Sequence, residues 1–166
     1  MATDKKYILS KEVAEKKLQR MAYEILENNM DEKEIILAGI RESGSVVAKV
    51  IQQMLAKISS IKTELITITL DKKEPTDVSL SRSIDLNGKV IILLDDVSNS
   101  GKTLLYALKP FIEFQPKKIQ TLVLVERTHT SFPVRPDYVG LSIATTFQEH
   151  IFVEVKGEVV MGAYLK

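Results

Sequence analysis

The sequence predicts an α/β fold, a central parallel sheet flanked by helices, and three observations carry that prediction. Short apolar runs that suit strands alternate with longer segments whose apolar residues recur at helical spacing. One run, Val90-Ile91-Ile92-Leu93-Leu94, is apolar throughout, as a strand covered on both faces should be. The strand–helix order continues through the middle of the chain, which implies βαβ units with right-handed crossovers. A chain of 166 residues suits one such domain, spanning 1–166.

The elements follow in order. Ser10 reads as the N-cap of a first helix running to about Asn28, with Ala14, Leu18, Met21, Ala22 and Ile25 on its apolar stripe. Glu34 to Ile40 reads as a buried strand, Arg41-Glu42-Ser43-Gly44 as a short loop, and Ser45 as the opening of a second helix. That helix turns Val47, Val50, Ile51, Met54, Leu55 and Ile58 to one side. In Leu65 to Leu70, Ile and Thr alternate as in a half-buried strand. Residues 71–86 are polar, contain Pro75, and read as a mobile loop. After the Val90–Leu94 strand, a helix should follow Gly101 with Leu104, Leu105, Leu108, Phe111 and Ile112 inward, kinked or cut by Pro110. Gln120 to Val125 is a further strand. A loop with Pro133 and Pro136 then leads to Tyr138-Val139-Gly140. Ile151 to Val155, Gly157 and Val159 to Met161 form a terminal hairpin.

Composition narrows the function classes. Hydrophobic residues make up 45% and charged residues 27%, ordinary for a globular domain, and the net charge is +1. No overall field therefore favours nucleic acid or membrane. Cysteine is absent, which excludes a disulfide framework and a cysteine nucleophile. The N-terminal run Met1-Ala2-Thr3-Asp4-Lys5-Lys6 is polar and lacks the apolar core of a signal peptide. No apolar run approaches the ~18 residues of a membrane span. The expected location is the cytoplasm.

Ligands of open parallel sheets sit beyond the carboxyl ends of the strands. Segments 41–44, 95–103 and 126–140 are expected there. The most informative runs from Val90-Ile91-Ile92-Leu93-Leu94 through Asp95-Asp96-Val97-Ser98-Asn99-Ser100-Gly101-Lys102-Thr103. A buried strand delivers two adjacent carboxylates, and a hydroxyl-rich turn then feeds a helix. Free backbone N–H groups and the positive end of the following helix favour a phosphate there, Ser98, Ser100 and Thr103 add hydroxyl donors, and Gly101 lets the backbone approach an anion. Carboxylates accept hydrogen bonds from sugar hydroxyls and can hold Mg²⁺. Diol, phosphate and metal recognition together describe a ribose 5-phosphate ligand. Gly101-Lys102-Thr103 also invites a P-loop reading, but that motif needs glycine five positions before Gly101, where Asp96 stands. The remaining alternative is an ordinary strand–turn–helix, for which paired acids followed by hydroxyls are unusually organised.

The segment Asp95 to Thr103 resembles the phosphoribosyl pyrophosphate signature of type I phosphoribosyltransferases, with Ser100 where Thr is commonest. The resemblance extends over most of the chain. It looks closest to the pyrimidine operon attenuation proteins that are also uracil phosphoribosyltransferases, through Ala22-Tyr23-Glu24-Ile25, Leu37-Ala38-Gly39-Ile40, Ile66 to Leu70, Gln120 to Val125 and Phe132 to Gly140. The resemblance implies a type I phosphoribosyltransferase fold, with about five parallel strands and a small C-terminal hood. It implies transfer of ribose 5-phosphate from phosphoribosyl pyrophosphate to a nucleobase, uracil first, with release of pyrophosphate. In that reading Asp95 and Asp96 hold the ribose hydroxyls and Mg²⁺. Ser98, Asn99, Ser100, Gly101, Lys102 and Thr103 hold the 5′-phosphate. Arg41, with Glu42, Ser43 and the backbone to Gly44, meets the pyrophosphate. Tyr138 and Val139 border the base, and Arg127 lies near it. A homodimer or higher oligomer is implied as well.

The chain departs from that pattern in places. Ser43 replaces an arginine of the pyrophosphate loop, and Glu42 adds negative charge. The loop after residue 70 is short, and Asp71-Lys72-Lys73 stands where Arg and Asp are common. Positions associated with RNA contact are not basic at Tyr23, Thr130 and Leu141, although Arg20 and Arg135 remain, so RNA binding is expected to be weak. Glu126 and Asn99 differ from the purine-specific relatives. If the protein is an enzyme, Arg82, Lys72 or Lys73 must reach the pyrophosphate. The alternative is a nucleotide-sensing, RNA-binding regulator of pyrimidine genes that uses the same 95–103 segment without efficient catalysis. Tyr138 has an equal alternative as a core tyrosine, Lys72-Lys73 as solvated charge, and His129 as a solvated loop histidine. His129 and His150 lack the spacing of a zinc site.

Overall fold

The computed structural model describes residues 4–166, and Met1 to Thr3 of the polar N-terminal run lie outside the described residues. The elements in chain order are β1 (Lys6–Leu9), α1 (Lys11–Asn28), β2 (Glu34–Ile40), α2 (Ser43–Ile58), β3 (Lys62–Leu70), β4 (Val78–Leu80), β5 (Val90–Ser98), α3 (Lys102–Ala107), β6 (Lys118–Arg127), β7 (Tyr138–Ile143), β8 (Ile151–Lys156) and β9 (Val159–Leu165). A six-stranded sheet has the order β4-β3-β2-β5-β6-β7. Five of its strands run parallel, and β4 joins β3 antiparallel at the edge. A three-stranded antiparallel sheet, β1-β9-β8, forms the hood.

The alternation of side chains along each central strand builds two cores. Ile35 and Leu37 of β2, with Val90, Ile92 and Leu94 of β5, pack against α1, α2 and the hood. Ile36, Ala38 and Ile40, with Ile91 and Leu93, pack on the other face against Leu104, Ala107, Phe111 and Leu86. Both faces of β5 are thus covered, which is why its sequence is apolar without alternation. The Ser10 hydroxyl caps α1 by accepting from the Val13 N–H at 3.2 Å. Among the described residues no helix is long and apolar enough to cross a membrane.

Several boundaries differ from the sequence expectation. The second helix opens at Ser43 rather than Ser45, so Ser43 and Gly44 are helical and only Arg41-Glu42 remains as loop. The segment 71–86 is not wholly irregular: β4 pairs Val78 with Leu70 and Leu80 with Ile68, and Val78, Leu80 and Ile84 pack on the second core around buried Leu86. Alternate apolar side chains were enough anchor once an edge strand lay alongside. The helix after Gly101 is only six residues long. Turns carry the chain through Pro110, whose ring and missing N–H stop the helix; Phe111 is buried but Ile112 is 73% exposed. Residues from Tyr138 form strand β7 rather than the end of a loop, and β1 shows that the hood takes one strand from the N-terminus.

Candidate active site

The two acids leave β5 before its end. Strand β5 continues through them to Ser98 because β6 pairs alongside, Asp95 with Val123 and Ser98 with Glu126. Asp95 is fully buried, whereas the Asp96 side chain is 14% exposed. Asp95 Oδ1 accepts from the Asp96 N–H, and Asp96 Oδ1 from the Val97 N–H, each at 2.9 Å. Burial, and then the charge of Asp96, push the Asp95 carboxyl well above the ordinary carboxylate range, against the opposing pull of Lys72. Lys72 Nζ lies 3.3 Å from Asp95 Oδ2 and 3.7 Å from Asp96 Oδ1. Burial alone would lower the Lys72 ammonium, but the two carboxylates outweigh it and the net shift is upward.

Beyond the acids the chain wraps a cavity of ≈ 290 Å³. Asp96, the run Ser98 to Thr103, Ser43 and Lys72 line it, and Ile151, Phe152 and Val153 of the hood strand β8 cover it. The Ser98 hydroxyl is buried without a hydrogen-bond partner. Gly101 adopts φ +86°, and a Cβ there would stand 3.1 Å from the Val134 carbonyl. Glycine is therefore required at this turn. The Ser131 and Phe132 N–H groups both donate to the Ser100 carbonyl at 3.0 Å, which fixes the turn from the far side. With α3 only six residues long, a helix dipole adds little at this turn, whose polar groups are individual N–H groups and hydroxyls.

The structure brings most of the expected residues together, but not all. Gly44 is buried behind the acid pair; its Cβ position would lie 3.0 Å from Asp95 Oδ1, so it serves close helix–strand packing. Arg41 and Glu42 line a neighbouring open groove with Ser45, Thr67, Thr69 and Ser81 rather than the acid cavity. Arg127 ends β6 and donates to the Glu149 carbonyl at 2.6 Å, tying the core sheet to the loop before the hood. Tyr138 lies in the core, the alternative that the sequence left open for it. It is 2% exposed at the start of β7, and its hydroxyl donates to Gln120 Oε1 at 2.7 Å. Val139 pairs with Val123 within the sheet and packs on the second core. Strand β7 begins at 138 and so puts its carboxyl end at Ile143, ahead of the loop 144–150. That loop carries Phe147, 99% exposed.

Arg82 is also placed elsewhere. It pairs with Glu64 at 2.6 Å and donates to the Leu65 carbonyl at 3.3 Å, far down β3 from the acids. Sequence reasoning missed the β8 residues over the cavity. An alternating Ile151-Phe152-Val153 strand carries no sign of which sheet it will roof.

The family model described as "Phosphoribosyl transferase domain" matches residues 5–156. The chain belongs to this phosphoribosyl transferase family. It is 33% identical over 156 residues to the bifunctional protein PyrR of Streptococcus pneumoniae strain CGSP14, covering 90% of each chain. The structure resembles a hypoxanthine-guanine phosphoribosyltransferase from Bacillus anthracis with a TM-score of 0.71 and 21% identity, over 88% of this chain and 85% of that one. It resembles the hypoxanthine phosphoribosyltransferase of Trypanosoma cruzi with a TM-score of 0.76 and 15% identity, over 86% and 83%. The fold is that of the type I phosphoribosyltransferases. In this phosphoribosyltransferase a strand bearing two acids, a hydroxyl-rich turn and a hood strand meet at one cavity.

Proposed function

We propose that this phosphoribosyltransferase transfers ribose 5-phosphate from phosphoribosyl pyrophosphate to uracil, releasing pyrophosphate in a Mg²⁺-dependent reaction. The observation that carries the reading is the single cavity in which Asp96 and Lys72 face the hydroxyl-rich turn 98–103 beneath β8. The carboxylates of Asp95 and Asp96 accept from the ribose hydroxyls. The N–H groups of 99–103, the Ser98, Ser100 and Thr103 hydroxyls and Lys102 take the 5′-phosphate. A nitrogen of the base forms a bond to the anomeric carbon and loses its proton, while the bond from that carbon to the pyrophosphate oxygen breaks. The protein's part is positioning and charge stabilisation of an oxocarbenium-like state. Phe147, on the loop at the carboxyl end of β7, is the aromatic face open to a flat base.

The donor set suits Mg²⁺. Among the described residues no three carboxylates or histidines converge, and Mg²⁺ takes one or two carboxylates together with substrate phosphates. Asp95 and Asp96 would hold it, and it supplies charge neutralisation at the departing pyrophosphate.

A second reading, a nucleotide-sensing regulator, is favoured by one observation: Arg41 and Glu42 stand outside the acid cavity, leaving few cations for a leaving group. Incubating the protein with Mg²⁺, phosphoribosyl pyrophosphate and each nucleobase in turn separates the two. Pyrophosphate release with uracil is expected. Absence of release with every base, combined with tight nucleotide binding, overturns the enzyme reading. A homodimer or higher oligomer is part of the proposal, and light scattering at micromolar concentration tests it.

A further inference from the structure

Lys72 sits where two ribose hydroxyls and a metal ion are needed. Its Nζ lies 3.3 and 3.4 Å from the two Asp95 oxygens and 3.7 Å from Asp96 Oδ1, so one ammonium bridges both carboxylates. The contact is made at long range. Strands β3 and β5 flank β2, so the side chain crosses the end of β2, a span of roughly two strand spacings or ~10 Å. The local backbone supports this reach: Asp71 Oδ1 accepts from the Lys73 N–H at 2.8 Å, an Asx turn with Lys72 at its apex.

We propose that Lys72 is the resident counter-ion of the acid pair, and that a divalent cation competes with it for the same carboxylate oxygens. The inference rests on the phosphoribosyltransferase reading only for the identity of the groups that arrive with substrate. Asp95 is closed off from water, with 1% of its side chain exposed, and it stands beside a second carboxylate. An unpaired charge in that position is strongly disfavoured, so the substrate-free protein must neutralise it with a proton or a cation, and Lys72 is the cation placed against both carboxylates. Lys72 meets that need from a side chain 48% exposed, so its ammonium can swing into water without moving the sheet. Hard divalent cations take the same oxygens, and both cannot occupy them together. Substrate binding therefore exchanges one cation for another, and the displaced ammonium stays on the wall of the cavity it already lines.

Mn²⁺ alone, titrated into the substrate-free full chain and followed by the electron paramagnetic resonance of the free ion, tests this without any turnover. Lys72→Met should bind Mn²⁺ at least tenfold more tightly than the parent. Lys72→Arg, which keeps a cation on the acids, should stay near the parent. Adding Asp95→Asn and Asp96→Asn to Lys72→Met should abolish the gain. Circular dichroism checks that each variant is folded. Equal affinity of Lys72→Met and the parent, including no detectable binding by either, overturns the proposal, as does tighter binding that survives loss of the acids. Failure of the pyrophosphate-release assay would instead count against the transferase reading and leave the Mn²⁺ result standing.

Discussion

Gly44 in α2 and Asp95 in β5 are in such close contact that a Cβ on Gly44 would stand 3.0 Å from both the Asp95 Cα and its Oδ1. It would also stand 2.8 Å from the Leu94 carbonyl. The helix that follows Arg41-Glu42 is thereby seated directly against the strand that bears the acids.

Gly44→Ala should therefore push α2 away from β5. Backbone atoms cannot yield as a side-chain tip would, so a stability loss of ~1–3 kcal/mol is expected. Affinity for phosphoribosyl pyrophosphate should fall with it by roughly tenfold, because Asp95 moves. Urea unfolding and calorimetry read the two effects. Native values for both would show that the contact is slack.

Asp95 makes a prediction with a sign. Its carboxyl titrates well above the ordinary 3.8, through burial first and Asp96 second. The folded protein thus keeps a proton that the unfolded chain has lost, and stability declines as pH rises above 3.8, levelling off beyond the raised value. Asparagine has no such proton. Asp95→Asn should melt above the parent at neutral pH, by ~2–4 °C for each ~1 kcal/mol recovered. The gap should close as pH falls toward the ordinary carboxylate range. The same variant should lose phosphoribosyl pyrophosphate binding. A melting temperature below the parent at neutral pH would show that the Lys72 pairing outweighs burial.

Arg82 is held by Glu64 and the Leu65 carbonyl, away from the acid pair. Arg82→Ala should leave turnover within about twofold of the parent. It should cost ~0–1 kcal/mol of stability, as exposed ion pairs do. A hundredfold loss of turnover would mean that the 71–86 segment rearranges around bound substrate.

Phe147→Ala should raise KM for the nucleobase by roughly tenfold, in line with the ~1–3 kcal/mol of a base–aromatic stack. KM for phosphoribosyl pyrophosphate should hold steady, because the phosphate turn lies elsewhere. Steady-state kinetics with each substrate varied in turn decides it. A rise confined to phosphoribosyl pyrophosphate would remove Phe147 from the base site.

RNA binding should be weak at physiological salt. One of the two basic positions that remained is already committed: Arg20 pairs with Glu24 and donates to the Val139 and Gly140 carbonyls at 2.9 and 3.1 Å. With net charge +1, few phosphates can be neutralised and little counterion release drives association. Filter binding to a pyrimidine leader should give micromolar affinity or weaker. A nanomolar value would restore the regulator reading.

The sequence by itself determined the parallel core and the polar make-up of the turn 98–103. Strands at Glu34–Ile40 and Val90–Leu94 announce themselves because burial on both faces demands unbroken apolar runs. The turn 98–103 announces itself because the acids before it, its hydroxyls and its glycine are contiguous. Only the tertiary structure decided which residues share the cavity. Strand β4 exists because Leu70 and Ile68 offer it an edge, and β7 because β6 does. A three- or six-residue strand has too little pattern to declare itself without that partner. The burial of Tyr138 follows from β7, since a strand starting at 138 places its carboxyl end at 143. The bridge from Lys72 to Asp95 spans 23 positions of sequence. It forms because β3, β2 and β5 stand side by side, an order that hydrogen bonding between strands sets and that no local run of residues encodes.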